Sequence, residues 1–223
     1  MDRQLFGRAI TRFLSGLIIL GLLLFLPAGS LAYWQGWLLM GILFVPMFFA
    51  GLVMLSKSPE LLEKRLSVKE EQGEQRQVIA LSGLMFLAAF VLAGLNFRFG
   101  WFVLPRWLVW TAAGLFLLCY LLYAEVLREN VWLSRTMEVQ ENQQVIDTGL
   151  YGVVRHPMYA VTVLLFLSMP LVLGSPLSFA VMLLYLPLIA KRIRNEEAVL
   201  ESGLAGYAEY KQRVKYRLIP GIW

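Results

Sequence analysis

The chain has 223 residues, of which 59% are hydrophobic and only 16% charged; its mean hydropathy is +0.65 and its formal net charge +5. Soluble domains carry about 25% charged residues, so the composition excludes an ordinary water-soluble globule and points to a polytopic membrane protein. A single Cys (Cys119) and a single His (His156) exclude an intrachain disulfide framework and the zinc or haem-type centres that need several such ligands.

From the N-terminus, Arg3, Arg8 and Arg12 precede an apolar run that continues without a small-residue cleavage pattern and is soon followed by another. This reads as a first membrane span rather than a leader. A helix needs about 20 apolar residues to cross a hydrocarbon core roughly 30 Å thick, and six candidate windows follow in order: 13–26, 31–55, 78–97, 107–124, 159–173 and 177–190. Cys119, inside the fourth, reads as a small core residue. The last two windows are short and joined by a tight Leu173-Gly174-Ser175-Pro176 turn. They predict a helical hairpin too short to reach the far surface at full thickness, which leaves five spans as the alternative count. The expected fold is an all-α integral membrane bundle, with N-terminal transmembrane helices over 1–127. A catalytic region over 128–223 follows, with a cofactor loop, the hairpin and C-terminal interfacial helices.

Sidedness follows from the basic residues. Of the 20 Lys and Arg, 18 fall on one side in the six-span reading: Arg3, Arg8 and Arg12; Lys57, Lys64, Arg65, Lys69 and Arg76; Arg128, Arg135 and Arg155; and seven from Lys191 to Arg217. Only Arg98 and Arg106 fall on the other, so both termini and the polar C-terminal region are expected in the cytoplasm. The net +5 then reflects orientation and attraction to anionic membrane lipids, and calls for no nucleic acid. Trp34, Trp37, Trp101 and Trp107 lie at predicted span ends, where an aromatic belt belongs. No internal repeat is visible, which argues against an inverted-repeat transporter.

From residue 125 onward the polar content gathers on that cytoplasmic face: Glu125, Glu129, Asn130, Arg135, Glu138, Gln140, the Asp147-Thr148-Gly149 turn, and then the run from Leu150 to Tyr159. Pro157 suits the first position of the fifth helix, because its missing N–H would have no partner there. His156 then stands at the helix mouth, where free N–H groups and the positive dipole end favour an electron-rich group. A histidine that merely caps the helix is the plainer alternative. Against it, Tyr151, Arg155, His156 and Tyr159 fall within nine residues, more hydrogen-bonding and stacking capacity than packing requires.

A second cluster, Lys191-Arg192-Ile193-Arg194-Asn195-Glu196-Glu197, follows the sixth window. Arg192 and Glu196, at i and i+4, share a helix face and either pair or straddle a zwitterionic ligand. Arg194 and Glu197 read as a solvated, charged helix end. Residues 206–214 predict a short interfacial amphipathic helix that ends before Ile219-Pro220 and covers the site.

These residues together resemble the isoprenylcysteine carboxyl methyltransferase family, membrane enzymes that use S-adenosylmethionine. The likeness runs from Glu141 onward. It rests on Gly149-x-Tyr151-x-x-x-Arg155-His156-Pro157-x-Tyr159, the Gly174-Ser175-Pro176 turn, Arg192-x-x-x-Glu196-Glu197-x-x-Leu200, and Gly206-Tyr207-x-x-Tyr210-x-x-x-Val214 with Ile219-Pro220. The resemblance implies cofactor contacts at Tyr151, His156, Tyr159 and Glu196, and a cofactor-wrapping loop that includes Gln140, Gln144, Val145 and Ile146. It assigns Arg192 to the substrate, as the residue that orients the methyl acceptor.

The implied reaction is transfer of a methyl group to a lipophilic small-molecule or lipidated acceptor, foremost a carboxylate. Such an in-line displacement needs alignment and desolvation rather than a covalent nucleophile or, for a carboxylate, a general base. A phospholipid or amine N-methyltransferase is the nearest alternative. A sterol-type reductase using NADPH also carries an H-P-x-Y element, but its tyrosine is followed closely by an acid, where this chain has Ala160 and Val161. A transporter or scaffold would call for ionisable residues in mid-span, and only Glu125 and the border residues approach that.

Overall fold

A computed structural model describes residues 3–66, 73–133 and 139–223. The expectations for Lys69, Arg135 and Glu138, and for the side chains of Arg3, Lys64, Arg65 and Arg76, lie outside what it describes. Every regular element among the described residues is helical: α1 (Arg3–Ala28), α2 (Trp34–Lys57), α3 (Pro59–Leu66), α4 (Gly73–Phe99), α5 (Arg106–Glu129), a 3-10 turn (Gly149–Gly152), α6 (Pro157–Val172), α7 (Pro176–Met182), α8 (Tyr185–Gly203) and α9 (Tyr207–Arg213).

Among the described residues, five helical stretches are long and apolar enough to cross a membrane: Gln4–Ala28, Trp34–Lys57, Gln77–Phe99, Arg106–Glu129 and Pro176–Gly203. The remaining apolar helix, α6, has 16 residues, about 24 Å at 1.5 Å per residue. The fifth stretch joins α7 to α8 through Leu183 and Leu184, both still in right-handed helical conformation. Pro187 explains the interruption. It has no N–H to offer the carbonyl of Leu183 and its ring crowds that oxygen, so the chain tightens there into Leu184 N–H to Val181 O and Leu186 N–H to Leu183 O bonds, each 3.1 Å.

The hairpin inserts between α5, which flanks α6, and α4, which flanks α7. Leu24, Leu39, Phe116 and Val172 have no exposed surface and form the centre of the largest core cluster. Met85, Ala89, Met182, Tyr185, Ile189 and Ile193 continue the packing along α4 and the returning helix. Cys119 is fully buried, in keeping with its reading as a core residue. Outward faces carry Ile18, Leu22, Leu84, Leu121 and Trp110, an apolar exterior that belongs in hydrocarbon.

The hairpin tip corrects one expectation. Tyr33 Oη, at the start of α2, donates to Leu173 O at 2.8 Å, and Asn96 Nδ2, near the end of α4, donates to Gly174 O at 3.3 Å and to Phe102 O at 2.9 Å. The turn therefore docks among the loops at the far end of the bundle, although α6 is short by residue count. Gly174 has φ +71, and a Cβ there would stand 3.3 Å from Gln35 Nε2. Ser175 then starts α7 by accepting from Ser178 N–H at 3.2 Å.

Helices α1 and α4 approach closely at Gly94, where a Cβ would lie 2.7 Å from Leu24 O and 3.0 Å from Ala28 N. Both neighbours are backbone atoms that cannot turn aside. Gly94→Ala is expected to cost about 1–3 kcal/mol by overpacking, whereas Gly83→Ala, which meets nothing within 4 Å, should leave the thermal unfolding midpoint in detergent unchanged or raised.

Candidate functional site

Two backbone bonds join distant parts of the chain at the mouth of α6. Arg155 N–H donates to Tyr216 O and His156 N–H to Arg217 O, each at 2.9 Å. Pro157 occupies the first turn, as expected, and His156 is the N-cap. The Arg155 side chain continues the link: its Nε donates to Glu197 Oε1 at 2.8 Å and its Nη1 to Val214 O at 2.7 Å and Lys215 O at 2.8 Å. Glu197 Oε1 also lies 3.2 Å from His156 Nε2, and Arg217 Nε donates to Glu197 Oε2 at 2.8 Å. Facing a carboxylate, Nε2 is the histidine nitrogen that carries the proton.

Glu197 is 3% exposed, so it is not part of a solvated helix end as the sequence reading had it. It continues the buried stripe of α8, four residues after Ile193 and eight after Ile189. That spacing was visible in the sequence and places Glu197 on the inner face. Arg194, by contrast, is exposed as expected.

Beside this network opens a cleft of about 880 Å³, mouth included. One wall is the 143–146 segment, with Gln144, Val145 and Ile146; the floor carries Tyr151, His156 and Tyr159; the opposite wall is α8, with Arg192, Glu196 and Val199. Eight residues singled out from the sequence thus share one cavity. Gln140 does not line it. Its Nε2 donates to Trp132 O at 2.6 Å and its backbone N–H to Gln143 Oε1 at 2.9 Å, which braces the loop from behind.

Within the cleft Tyr159 connects the two ionic side chains of α8. Its hydroxyl donates to Glu196 Oε2 and accepts from Arg192 Nε at 3.0 Å. The rings of His156 and Tyr159 lie 5.7 Å apart and 29° from parallel, a stacked pair beside the acid. Sequence reading missed Trp132, Met158 and Val199 as lining residues; apolar side chains give no sign that they face a cavity rather than the core.

The roof is α9. It packs Leu204, Tyr207, Tyr210 and Val214 against Val139, Val145 and Leu200, and begins after Gly206, whose φ of +83 provides the left-handed turn into the helix. Tyr210 Oη donates to Tyr151 O at 2.8 Å, pinning the roof to the floor. Tyr207 is 4% exposed and lines the cleft, yet its hydroxyl oxygen has no hydrogen-bond partner among the described residues. Burial raises the pKa of that hydroxyl, and the charges of Glu197 and Glu196 push the same way, so it remains a neutral donor.

Residues 107–202 match the model of the isoprenylcysteine carboxyl methyltransferase (ICMT) family, a family of membrane methyltransferases that take their methyl group from S-adenosylmethionine. No curated protein matches the chain. The matched stretch runs from α5 through most of α8 and includes Tyr151, His156, Tyr159, Arg192, Glu196 and Glu197. It begins earlier than the resemblance read from the sequence, and it stops before α9 and Arg217.

Removing the Glu197 carboxylate would leave the buried Arg155 guanidinium without its counter-charge. Glu197→Ala is expected to destabilise the fold by about 3–5 kcal/mol. Glu201→Ala, which breaks only the exposed pair with Lys211, should cost less than about 1 kcal/mol. Thermal unfolding of both variants in detergent checks the contrast.

Proposed function

We propose that this protein is an integral membrane methyltransferase that transfers a methyl group from S-adenosylmethionine to the carboxylate of a lipophilic, isoprenylcysteine-type acceptor. The observation that carries this reading is the Tyr159 hydroxyl held between Glu196 and Arg192 on one side of a cleft roofed by α9. It holds an acid and a guanidinium side by side at the cleft. That suits two ligands of opposite need, a cationic cofactor end and an anionic acceptor.

The residues present fit such a cofactor. Glu196 offers a carboxylate to an ammonium, the stacked His156 and Tyr159 rings offer a flat face to a heteroaromatic base, and Val145, Ile146 and Val199 line the space between with apolar surface. When bound, the cofactor supplies an activated methyl on a sulfonium that leaves as a neutral thioether. Arg192 has a planar fork of N–H donors suited to orient a carboxylate. Tyr159 fixes that arginine through Nε, and the roof excludes water that would compete for the methyl group. An acceptor carboxylate needs no general base.

Cytoplasmic placement of the cleft rests on the basic residues. The cleft lies at the end of the bundle opposite the Leu173–Gly174 turn, the end that carries Lys57, Arg128 and Arg217, whereas Arg98 and Arg106 lie at the other. A lipophilic acceptor can then enter from the bilayer and the soluble cofactor from the cytoplasm.

Calorimetry on the purified protein in detergent tests the assignment. S-adenosylhomocysteine should bind saturably and NADPH should not; the opposite result would turn the reading to a reductase. Glu196→Gln should weaken S-adenosylhomocysteine about tenfold or more while leaving the unfolding midpoint close to wild type, and an undiminished affinity would remove Glu196 from the ammonium site. For orientation, Arg106→Cys should react with an impermeant maleimide on intact cells and Ser58→Cys should not. The native Cys119, being buried, contributes little background.

A further inference from the structure

The two tyrosines of the roof are chemically alike and differently used. Their rings lie 5.7 Å apart, both are at least nine-tenths buried, and both belong to one short helix. Tyr210 commits its hydroxyl to the scaffold through Tyr151 O. Tyr207 lines the cleft, and its buried hydroxyl meets no hydrogen-bond partner among the described residues. A buried hydroxyl without a partner is destabilising, a penalty that a bound ligand with an acceptor in reach would relieve.

The surroundings define that acceptor. Tyr207 shares the cleft with Glu196, the acid assigned to an ammonium group, and the charges of Glu197 and Glu196 both act on its hydroxyl. In an α-amino acid the carboxylate sits on the same carbon as the ammonium, and beside two acids it needs a donor. The nearby cations are engaged elsewhere: Arg155 bonds Glu197, Val214 O and Lys215 O, Arg217 bonds Glu197, and Arg192 bonds the Tyr159 hydroxyl and is assigned to the acceptor.

We infer that Tyr207 is a ligand-binding residue whose hydroxyl donates to the α-carboxylate of the cofactor's amino-acid end, while Glu196 holds the adjacent ammonium. The inference rests on the S-adenosylmethionine reading and extends it to a residue beyond the family-matched stretch. The roof then recognises the ligand it covers, because the contact forms only when α9 is seated. A nucleoside thioether without the amino-acid carboxylate would leave the hydroxyl as it is in the free protein.

The experiment compares wild type, Tyr207→Phe and Tyr210→Phe by calorimetry and thermal unfolding, with S-adenosylhomocysteine and decarboxylated S-adenosylmethionine as ligands. Tyr207→Phe should weaken S-adenosylhomocysteine about tenfold or more, alter the decarboxylated ligand by less than about twofold, and leave the ligand-free unfolding midpoint unchanged or raised. Tyr210→Phe should lower that midpoint, since it breaks a bond made without ligand. Equal affinity of wild type and Tyr207→Phe for S-adenosylhomocysteine would overturn the inference. So would an equal loss for both ligands, or a ligand-free destabilisation by Tyr207→Phe as large as that of Tyr210→Phe. Failure of the wild-type protein to bind S-adenosylhomocysteine at all would instead strike the functional reading beneath it.

Discussion

The Glu197 carboxylate, buried and contacted by Arg155, His156 and Arg217, is the constraint around which the cleft is arranged. A buried charge of this kind is tolerated only when its partners are held in place, and here the partners of this α8 residue come from two other parts of the chain, the mouth of α6 and the segment after α9. Satisfying one carboxylate therefore fixes the direction in which His156 faces, the depth at which α8 sits against α6, and the path of the C-terminal segment. The neighbouring residue on α8, Glu196, points about 100° away around the helix and faces the cleft instead. Two adjacent acids thus take different places, one assembling the wall and the other lining the cleft.

The second constraint is the bilayer. Hydrocarbon offers no hydrogen bonds, so polar backbone inside it must be satisfied by protein. The hairpin turn at Leu173–Ser175 meets this demand through Tyr33 and Asn96, which bond the Leu173 and Gly174 carbonyls. The Pro187 break meets it by switching locally to shorter-range backbone bonds. With the tip anchored at one end and the ionic network at the other, the hairpin is held at both ends, and the cleft side chains of α6 and α8 keep a fixed relation to each other.

Much of this was legible in the sequence. The apolar windows located the long helices, although α1 starts at Arg3, well before its window, and α8 runs well past the last one to Gly203; the first-turn Pro157 located the mouth of α6, and i,i+4 spacing put Arg192 and Glu196 on one face. The docking depth of the hairpin was not legible, because it depends on Tyr33 and Asn96, remote residues whose bonds to the turn leave no local pattern. Glu197 was misread because its charge outweighed its place in the Ile189–Ile193–Glu197 stripe, and only Arg155 and Arg217, 42 residues before it and 20 after, make that place tolerable. Gln140 shows the opposite limit: a polar loop residue beside a cavity can as readily brace the loop as face the ligand.

The bonds from Arg155 and His156 to Val214, Lys215, Tyr216 and Arg217 also bear on biogenesis. These partners are about 60 residues apart, and the later ones are synthesised after the five described helical stretches long and apolar enough to cross a membrane. Since chains fold from the N-terminus as they are made, the transmembrane bundle can insert and pack while the cleft still lacks its roof and part of its ionic network. The cleft is thus completed only once the segment through Arg217 has been made, after the described membrane helices that precede it.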